Sequence, residues 1–229
     1  MTLETMKPYD DASMAGVPET IRGHWMQVRG GRVFYPLDPK PEDVFIEDIV
    51  YSLSRINRYN GFADAEIKVA QHLVNCQWMA HMDGHDVSTQ YAILMHDASE
   101  AYIGDMIRPL KCDMLSFREI ESHVQGAINA ALNVPDGYHA IIKHYDNICW
   151  AWEKRDHFKC SLPWPNTPRI PDYCPTMNIW STMECEMFFR DTFTRYKAGH
   201  EMNNAVPSDE EWASDHWEGQ SDMRDWRNV

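Results

Sequence analysis

The chain has 229 residues, 44% of them hydrophobic, which is enough for a proper buried core and argues against wholesale disorder. A formal net charge of −14 repels the phosphate backbone of DNA or RNA and disfavours a nucleic-acid polymer as partner, whereas a small phosphorylated molecule needs only a local cationic pocket. No apolar run approaches the roughly 20 residues that span a bilayer. The N-terminal MTLETMKPYDD has no basic stretch followed by an apolar one, so the expectation is a cytoplasmic protein with no membrane partner.

Residues 1–20 are polar, contain Pro8, Gly16 and Pro18, and read as a loosely held arm. HWMQV and RVFY, separated by Arg29-Gly30-Gly31, form a candidate β-hairpin. PLDPKPED is a Pro-rich connection, after which helical periodicity takes over. The spacing of Val44, Phe45, Ile49, Leu53 and Ile56 predicts a helix over 42–57, broken by Asn60-Gly61. A second helix covers 64–82, with Val69, Leu73, Cys76 and Ala80 near one face and Asp83-Gly84 at its end. Asp86 or Ser88 caps a third, over 88–103, which Gly104 closes. Helices over 114–133, 136–159 and 176–198 follow, the last two separated by the Pro-rich loop SLPWPNTPRIPDYCP. From 200 onward the chain turns acidic around Trp212, Trp217 and Trp226. It reads as a solvated tail whose tryptophans pack back on the body, with a lid or subunit contact as the alternative.

The fold expected is all-α, a helical bundle with a small N-terminal hairpin, divided into an arm and hairpin (1–41), a main domain (42–199) and a tail (200–229). The cysteines at 76, 112, 149, 160, 174 and 185 include no CxxC pair, so a zinc ribbon or thioredoxin-type site is not indicated, and all six are expected to pack as small hydrophobes.

Chemistry gathers at His72, the adjacent pair His96-Asp97, and Asp146, each on a separate predicted helix. Neighbouring helical residues point roughly 100° apart, yet the longer His side chain can converge with Asp on an ion over the helix edge. Two imidazoles and two carboxylates suit Co²⁺, Mn²⁺, Zn²⁺, Ni²⁺ or Fe²⁺ better than Mg²⁺, which prefers oxygen alone. Spacing by itself leaves this open. A lone helical His is more often a surface or core residue, and a chain with 11 His and 35 acids offers many chance combinations. Basic residues stand nearby at Arg55, Arg58, Arg108 and Lys111, with Lys143 further along. Arg58 and Lys111 are the candidate phosphate clamps, a planar fork and a compact charge.

His96-Asp97-Ala98-Ser99-Glu100, then Gly104-Asp105, then Pro109-Leu110-Lys111, resembles the HDASE…GD…P-K block of bacterial 5′-deoxynucleotidases. Ile56-Asn57-Arg58-Tyr59 is similar to their I-N-R-W segment, and Val69-Ala70-Gln71-His72 to the stretch bearing their first metal-binding His. Ile142 to Asn147 resembles the segment that supplies their last metal-binding Asp. Across residues 45–160 the chain thus resembles the HD-domain metal-dependent phosphohydrolases. Its Val-Ala-Gln-His form and "IEDI" helix look closest to phage-encoded members, among them dATP triphosphohydrolases. Tyr59 stands where the family has Trp, and Leu73 where a polar Ser often follows the His; nothing after about 161 has a counterpart.

The resemblance implies an HD-type fold and one divalent ion on His72, His96, Asp97 and Asp146. It implies hydrolysis of a deoxynucleoside 5′-phosphate at the α-phosphorus. dATP comes first, giving deoxyadenosine and triphosphate and so depleting a nucleotide pool; dADP and dAMP are further substrates. A 5′-deoxynucleotidase acting on dNMPs is the close alternative. A phosphodiesterase and a non-catalytic nucleotide sensor are the others. Glu100, one turn after His96, would position or activate water or protonate the leaving 5′-oxygen, with an ordinary helix glutamate as the bland alternative. Asp105 would orient a water, a cation or the sugar 3′-hydroxyl, Tyr59 would stack on the base or pack on the sugar, and a second ion such as Mg²⁺ would ride on the phosphates. A homo-oligomer in the host cytoplasm completes the expectation.

Overall fold

A computed structural model describes residues 22–159 and 162–201. The predicted arm, the acidic tail with its three tryptophans, and Cys160 lie outside the described residues. The described chain is mostly helical with one small hairpin, as the periodicity predicts. Strands β1 (Met26–Gln27) and β2 (Val33–Phe34) pair antiparallel, Met26 opposite Phe34, around a 3₁₀ turn at Arg29–Gly31. The helices are α1 (Ile46–Leu53), α2 (Val69–Met82), α3 (Val87–Leu94), α4 (Glu100–Ile103), α5 (Arg108–Asp113), α6 (Leu115–Leu132), α7 (His139–His157) and α8 (Thr182–Glu201).

Helix α2 is the centre. From Val69 to Ala80 every residue but Trp78 is buried, so this helix meets neighbours on all sides, among them α3, α7 and α8. One apolar cluster joins Val69, Ala70, Leu73 and Val74 to α1, α3, α6 and α8; a second joins Cys76, Met79 and Ala80 to Tyr145, Ile148, Cys149 and Trp152 of α7. His72 lies on α2 between residues of the two. The hairpin belongs to the first cluster: Phe34 is fully buried and stacks on Tyr102 with centroids 3.8 Å apart, while Arg32 pairs with Asp48 at 2.7 Å.

The observed helices are shorter than the periodicity predicts, and for physical reasons. The first does not cover 42–57, and the second does not begin at 64. Arg58 N–H donates to Ile67 C=O and Val69 N–H to Ile56 C=O, a two-sided bridge that pulls both segments into extended backbone. Helix α5 is an additional element before α6, and 176–181 is extended rather than helical. The expected single helix over 88–103 is two, α3 and α4, parted by a turn over 95–99. Of the punctuation read from sequence, Asp86 Oδ1 accepts the Thr89 N–H at 2.7 Å to cap α3, and Gly104 ends α4 at φ 80°. Cysteines 76, 149, 174 and 185 are buried as expected, but Cys112 is exposed, because α5 buries none of its residues.

Candidate metal centre and cavity

His72 reaches the site from α2, fully buried. Its Nε2 is 3.4 Å from Asp146 Oδ1 on α7, and its Nδ1 is 2.8 Å from Glu153 Oε1, two turns further along the same helix. His96 comes from the α3–α4 turn. Its Nδ1–H donates to Ile93 C=O at 2.7 Å, which leaves Nε2 as the ring nitrogen available to a ligand. That nitrogen is buried with no hydrogen-bond partner among the described residues, although Asp97 Oδ2 stands 3.2 Å away. A buried imidazole nitrogen with no hydrogen-bond partner, next to a carboxylate, is a place for a cation. The ligand atoms of His72, His96 and Asp146 lie within 4.8 Å of one another, so these residues can hold a metal ion, and Asp97 adjoins them through His96.

The ligand atoms of a second cluster, His72, Cys76 and Cys149, also lie within 4.8 Å of one another, but its geometry and chemistry suit a metal less well. Cys76 Sγ is 3.5 Å from Nε2 and 4.0 Å from Nδ1, a position beside the ring rather than on either lone pair. Burial pushes both thiols up, which disfavours the thiolate a metal would need.

The electrostatics follow from four crowded carboxylates. Burial opposes ionisation of Asp97, but His96 beside it holds the group well below the usual range. Asp146 is likewise held down against burial by His72, with His96 and Arg58 assisting, and its Oδ2 takes Lys143 Nζ at 2.6 Å. Burial raises Glu100 well above the ordinary value, and the charges on Asp97 and Asp105 push it further. Its Oε2 has no partner among the described residues. Burial and Asp97 also raise Asp105, against the pull of Arg58.

A cavity of about 1360 Å³ opens beside this cluster. His96, Asp97, Asp146, Glu100, Asp105, Arg58, Tyr59 and Lys111 all line it, with Arg108, Arg118 and Lys143 among them. Nearly every residue singled out from sequence therefore meets here, with His72 just behind the wall. Arg55 does not: it pairs with Glu186 at 2.6 Å and lies 3.5 Å over the Tyr51 ring. Four of the cations are already engaged, Arg58 Nε by Glu153 at 3.1 Å, Lys111 Nζ by Glu121 at 2.6 Å, and Lys143 and Arg108 by Asp146 at 2.6 and 3.7 Å. Tyr59 sits at φ 58°, an uncommon backbone for an aromatic residue, with its hydroxyl bonded to Glu153 and its ring edge-on to Phe158.

Sequence reasoning missed three features. Glu153, wholly buried, holds His72, Arg58 and Tyr59 together, and burial does not prevent these partners from drawing its carboxyl down to about 2. Its signal was available: it falls seven residues after Asp146, on the same face of a helix. Gln125 of α6 accepts the Ser99 N–H at 3.0 Å and donates to Met95 C=O at 2.9 Å, gripping the turn that carries His96 and Asp97. Trp150, Phe158 and Trp164 form an aromatic corner of the cavity, Trp150 and Phe158 standing 4.9 and 5.1 Å from Trp164 between centroids. The periodicity of the Pro-rich loop carries no hint of that last partner.

No family model matches the chain. It is 32% identical over 126 residues to the uncharacterized protein YfdR of Escherichia coli, a stretch that covers 55% of this chain and 68% of that one. It is 33% identical over 124 residues to an uncharacterized protein of Rhodobacter capsulatus, covering 52% of this chain and 63% of the relative.

Proposed function

Since the chain belongs to the family of YfdR, a name that assigns no activity, we propose its function from its own site: metal-dependent hydrolysis of deoxynucleoside 5′-phosphates at the α-phosphorus. dATP is the first substrate, yielding deoxyadenosine and triphosphate. One observation carries this reading. An imidazole–carboxylate cluster able to hold a cation shares a cavity wall with the buried Glu100, whose Oε2 has no partner among the described residues and whose carboxyl burial raises well above the ordinary value. The resemblance to HD-domain phosphohydrolases supports it independently.

His72, His96 and Asp146, with Asp97, would hold one Co²⁺, Mn²⁺, Zn²⁺, Ni²⁺ or Fe²⁺ ion. Such an ion supplies charge neutralisation at the phosphorus and a more acidic water. The remaining work falls to the chain. Hydrolysis joins a water oxygen to the α-phosphorus and breaks its bond to the 5′-oxygen, which departs with a proton. Glu100, at the cavity wall and with its protonated form favoured by burial, would donate to that oxygen and recover a proton from the attacking water. Asp105, beside it on the same wall, orients the sugar or a neighbouring cation. Arg108, Lys111, Arg118 and Lys143 border the space where phosphates would lie, and a tail of three phosphates uses more of them than one does. Tyr59, Trp150 and Trp164 offer the base an apolar end. The reading includes a homo-oligomer acting in the cytoplasm; no helix of the described residues is long and apolar enough to cross a membrane.

The test incubates metal-stripped protein with dATP, dAMP, dGTP and ATP plus Co²⁺ or Mn²⁺, and separates the products. Deoxyadenosine plus triphosphate is expected from dATP, and Glu100→Ala should bind the ion but lose about 10²–10⁴-fold in turnover. Cleavage of dAMP alone moves the assignment to a 5′-deoxynucleotidase. No turnover with any ion overturns catalysis and leaves a metal-dependent nucleotide sensor.

A further inference from the structure

In a continuous helix over 88–103, the Ser99 N–H would bond to the C=O of Met95, four residues back. Here that bond is replaced by a side chain. The carboxamide of Gln125 stands between the two groups, accepting from Ser99 N at 3.0 Å and donating to Met95 O at 2.9 Å. Its Nε2 also bonds Asn129 Oδ1 at 2.8 Å, one turn along α6, which fixes the orientation of the amide. Insertion of a polar group into the helical ladder is a recognised cause of a sharp break. The neighbouring rung is displaced too: Ile93 C=O, the helical acceptor for Asp97 N–H, takes the His96 ring instead. From 98 to 102 the backbone bonds run over three residues rather than four, Ala98 to Met95, Glu100 to Asp97, Ala101 to Ala98 and Tyr102 to Ser99.

We propose that Gln125 is the positioning residue of the metal centre, a wedge that holds the 95–99 turn out of helical geometry so that His96 and Asp97 face the same cation. The proposal rests on the metal centre assigned above. It accounts for two things the local sequence leaves without cause. Met95 through Ser99 contains neither Gly nor Pro, so nothing local demands a break. Adjacent ligands on a regular helix point roughly 100° apart and could converge only over the helix edge, whereas on this opened turn Asp97 Oδ2 comes within 3.2 Å of His96 Nε2. Gln125 hydrogen-bonds to the backbone of the turn and to Asn129, and its effect reaches the ion through the geometry of that backbone.

The experiment compares wild type with Gln125→Leu, which removes both hydrogen bonds to the turn, and the one to Asn129, at similar volume and allows Ser99 and Met95 to bond directly. Amide hydrogen exchange over residues 93–103 of the metal-free protein reads the turn, whatever the site binds. Titration with Mn²⁺ reads the consequence. The expected result is an altered exchange pattern across 97–101 and a 10–100-fold loss of Mn²⁺ affinity, with the metal-free thermal midpoint within a few degrees of wild type. An unchanged exchange pattern, or Mn²⁺ affinity within twofold of wild type, overturns the proposal. Should Gln125→Leu fail to fold, Gln125→Glu decides, since it keeps the acceptor for Ser99 and loses the donor to Met95. A severalfold drop in Mn²⁺ affinity supports the wedge and an unchanged affinity overturns it. A wild type that binds no divalent ion instead refutes the metal centre, and the exchange data then judge the wedge by themselves.

Discussion

At the scale of single residues, the centre is governed by which polar atoms have partners. His72 is pulled two ways. Burial and Arg58 favour its neutral form, but Glu153 at Nδ1 and Asp146 at Nε2 outweigh them and raise it. Glu153 is the anchor of this arrangement, a carboxylate without solvent exposure whose charge is matched by Arg58 and His72. Its folded value of about 2 lies below the ordinary 4.5, so the stability it contributes is fully present above pH 4.5 and disappears as pH falls through 2. The corresponding free energy is about 3 kcal/mol. In chelated protein, the unfolding free energy of wild type minus that of Glu153→Gln should therefore shrink by about that amount between pH 5 and 2. Urea melts across this range check it, and a pH-independent difference would show that Glu153 is not charged in the fold.

Elements explain how those residues meet. Helix α2 is apolar enough to be swallowed by its neighbours, and this carries His72 into the interior with it. Helix α7 presents Asp146, Cys149 and Glu153 along one stripe, at spacings of three and four residues that share a helical face. The α3–α4 pair depends on its ends. Asp86 satisfies a free N–H at the start of α3, and the far end is interrupted at the ligand turn. Replacing Asp86 with Ala should lower stability by about 1 kcal/mol, read as a lower urea midpoint at unchanged slope. Ion affinity should stay as it was, because the cap lies at the opposite end of α3 from His96.

For the whole molecule, the ligands come from three places far apart in sequence: α2, the 95–99 turn and α7. An ion that joins them binds the folded chain and has no equivalent site in the unfolded one. Mn²⁺ or Co²⁺ at a hundredfold excess over its dissociation constant should stabilise the fold by about 2.7 kcal/mol. For a chain of this size that raises the thermal midpoint by roughly 5–10 °C. Differential scanning fluorimetry of chelator-stripped protein checks this, and His72→Ala should abolish the rise. A rise that survives the substitution would place the ion elsewhere.

Much of this was legible in the chain itself. Apolar periodicity determined the helical class, Asp86 and Gly104 marked their helix ends, and Met26–Gln27 and Val33–Phe34 announced a hairpin, because these features depend on bonds and burial patterns within a few residues of each other. The residue types at 72, 96 and 146 likewise pointed to a possible metal site, and the fold brings their ligand atoms within 4.8 Å of one another. The tertiary structure alone decided where helices stop and how ligands are aimed. The 56–58 segment leaves α1 because it bridges to 67–69, the ligand turn opens beside a glutamine 26 residues away, and Arg58 is bound by a glutamate 95 residues on. Such bonds join backbone and buried charge across long loops, and a pattern read over one or two turns contains no record of them.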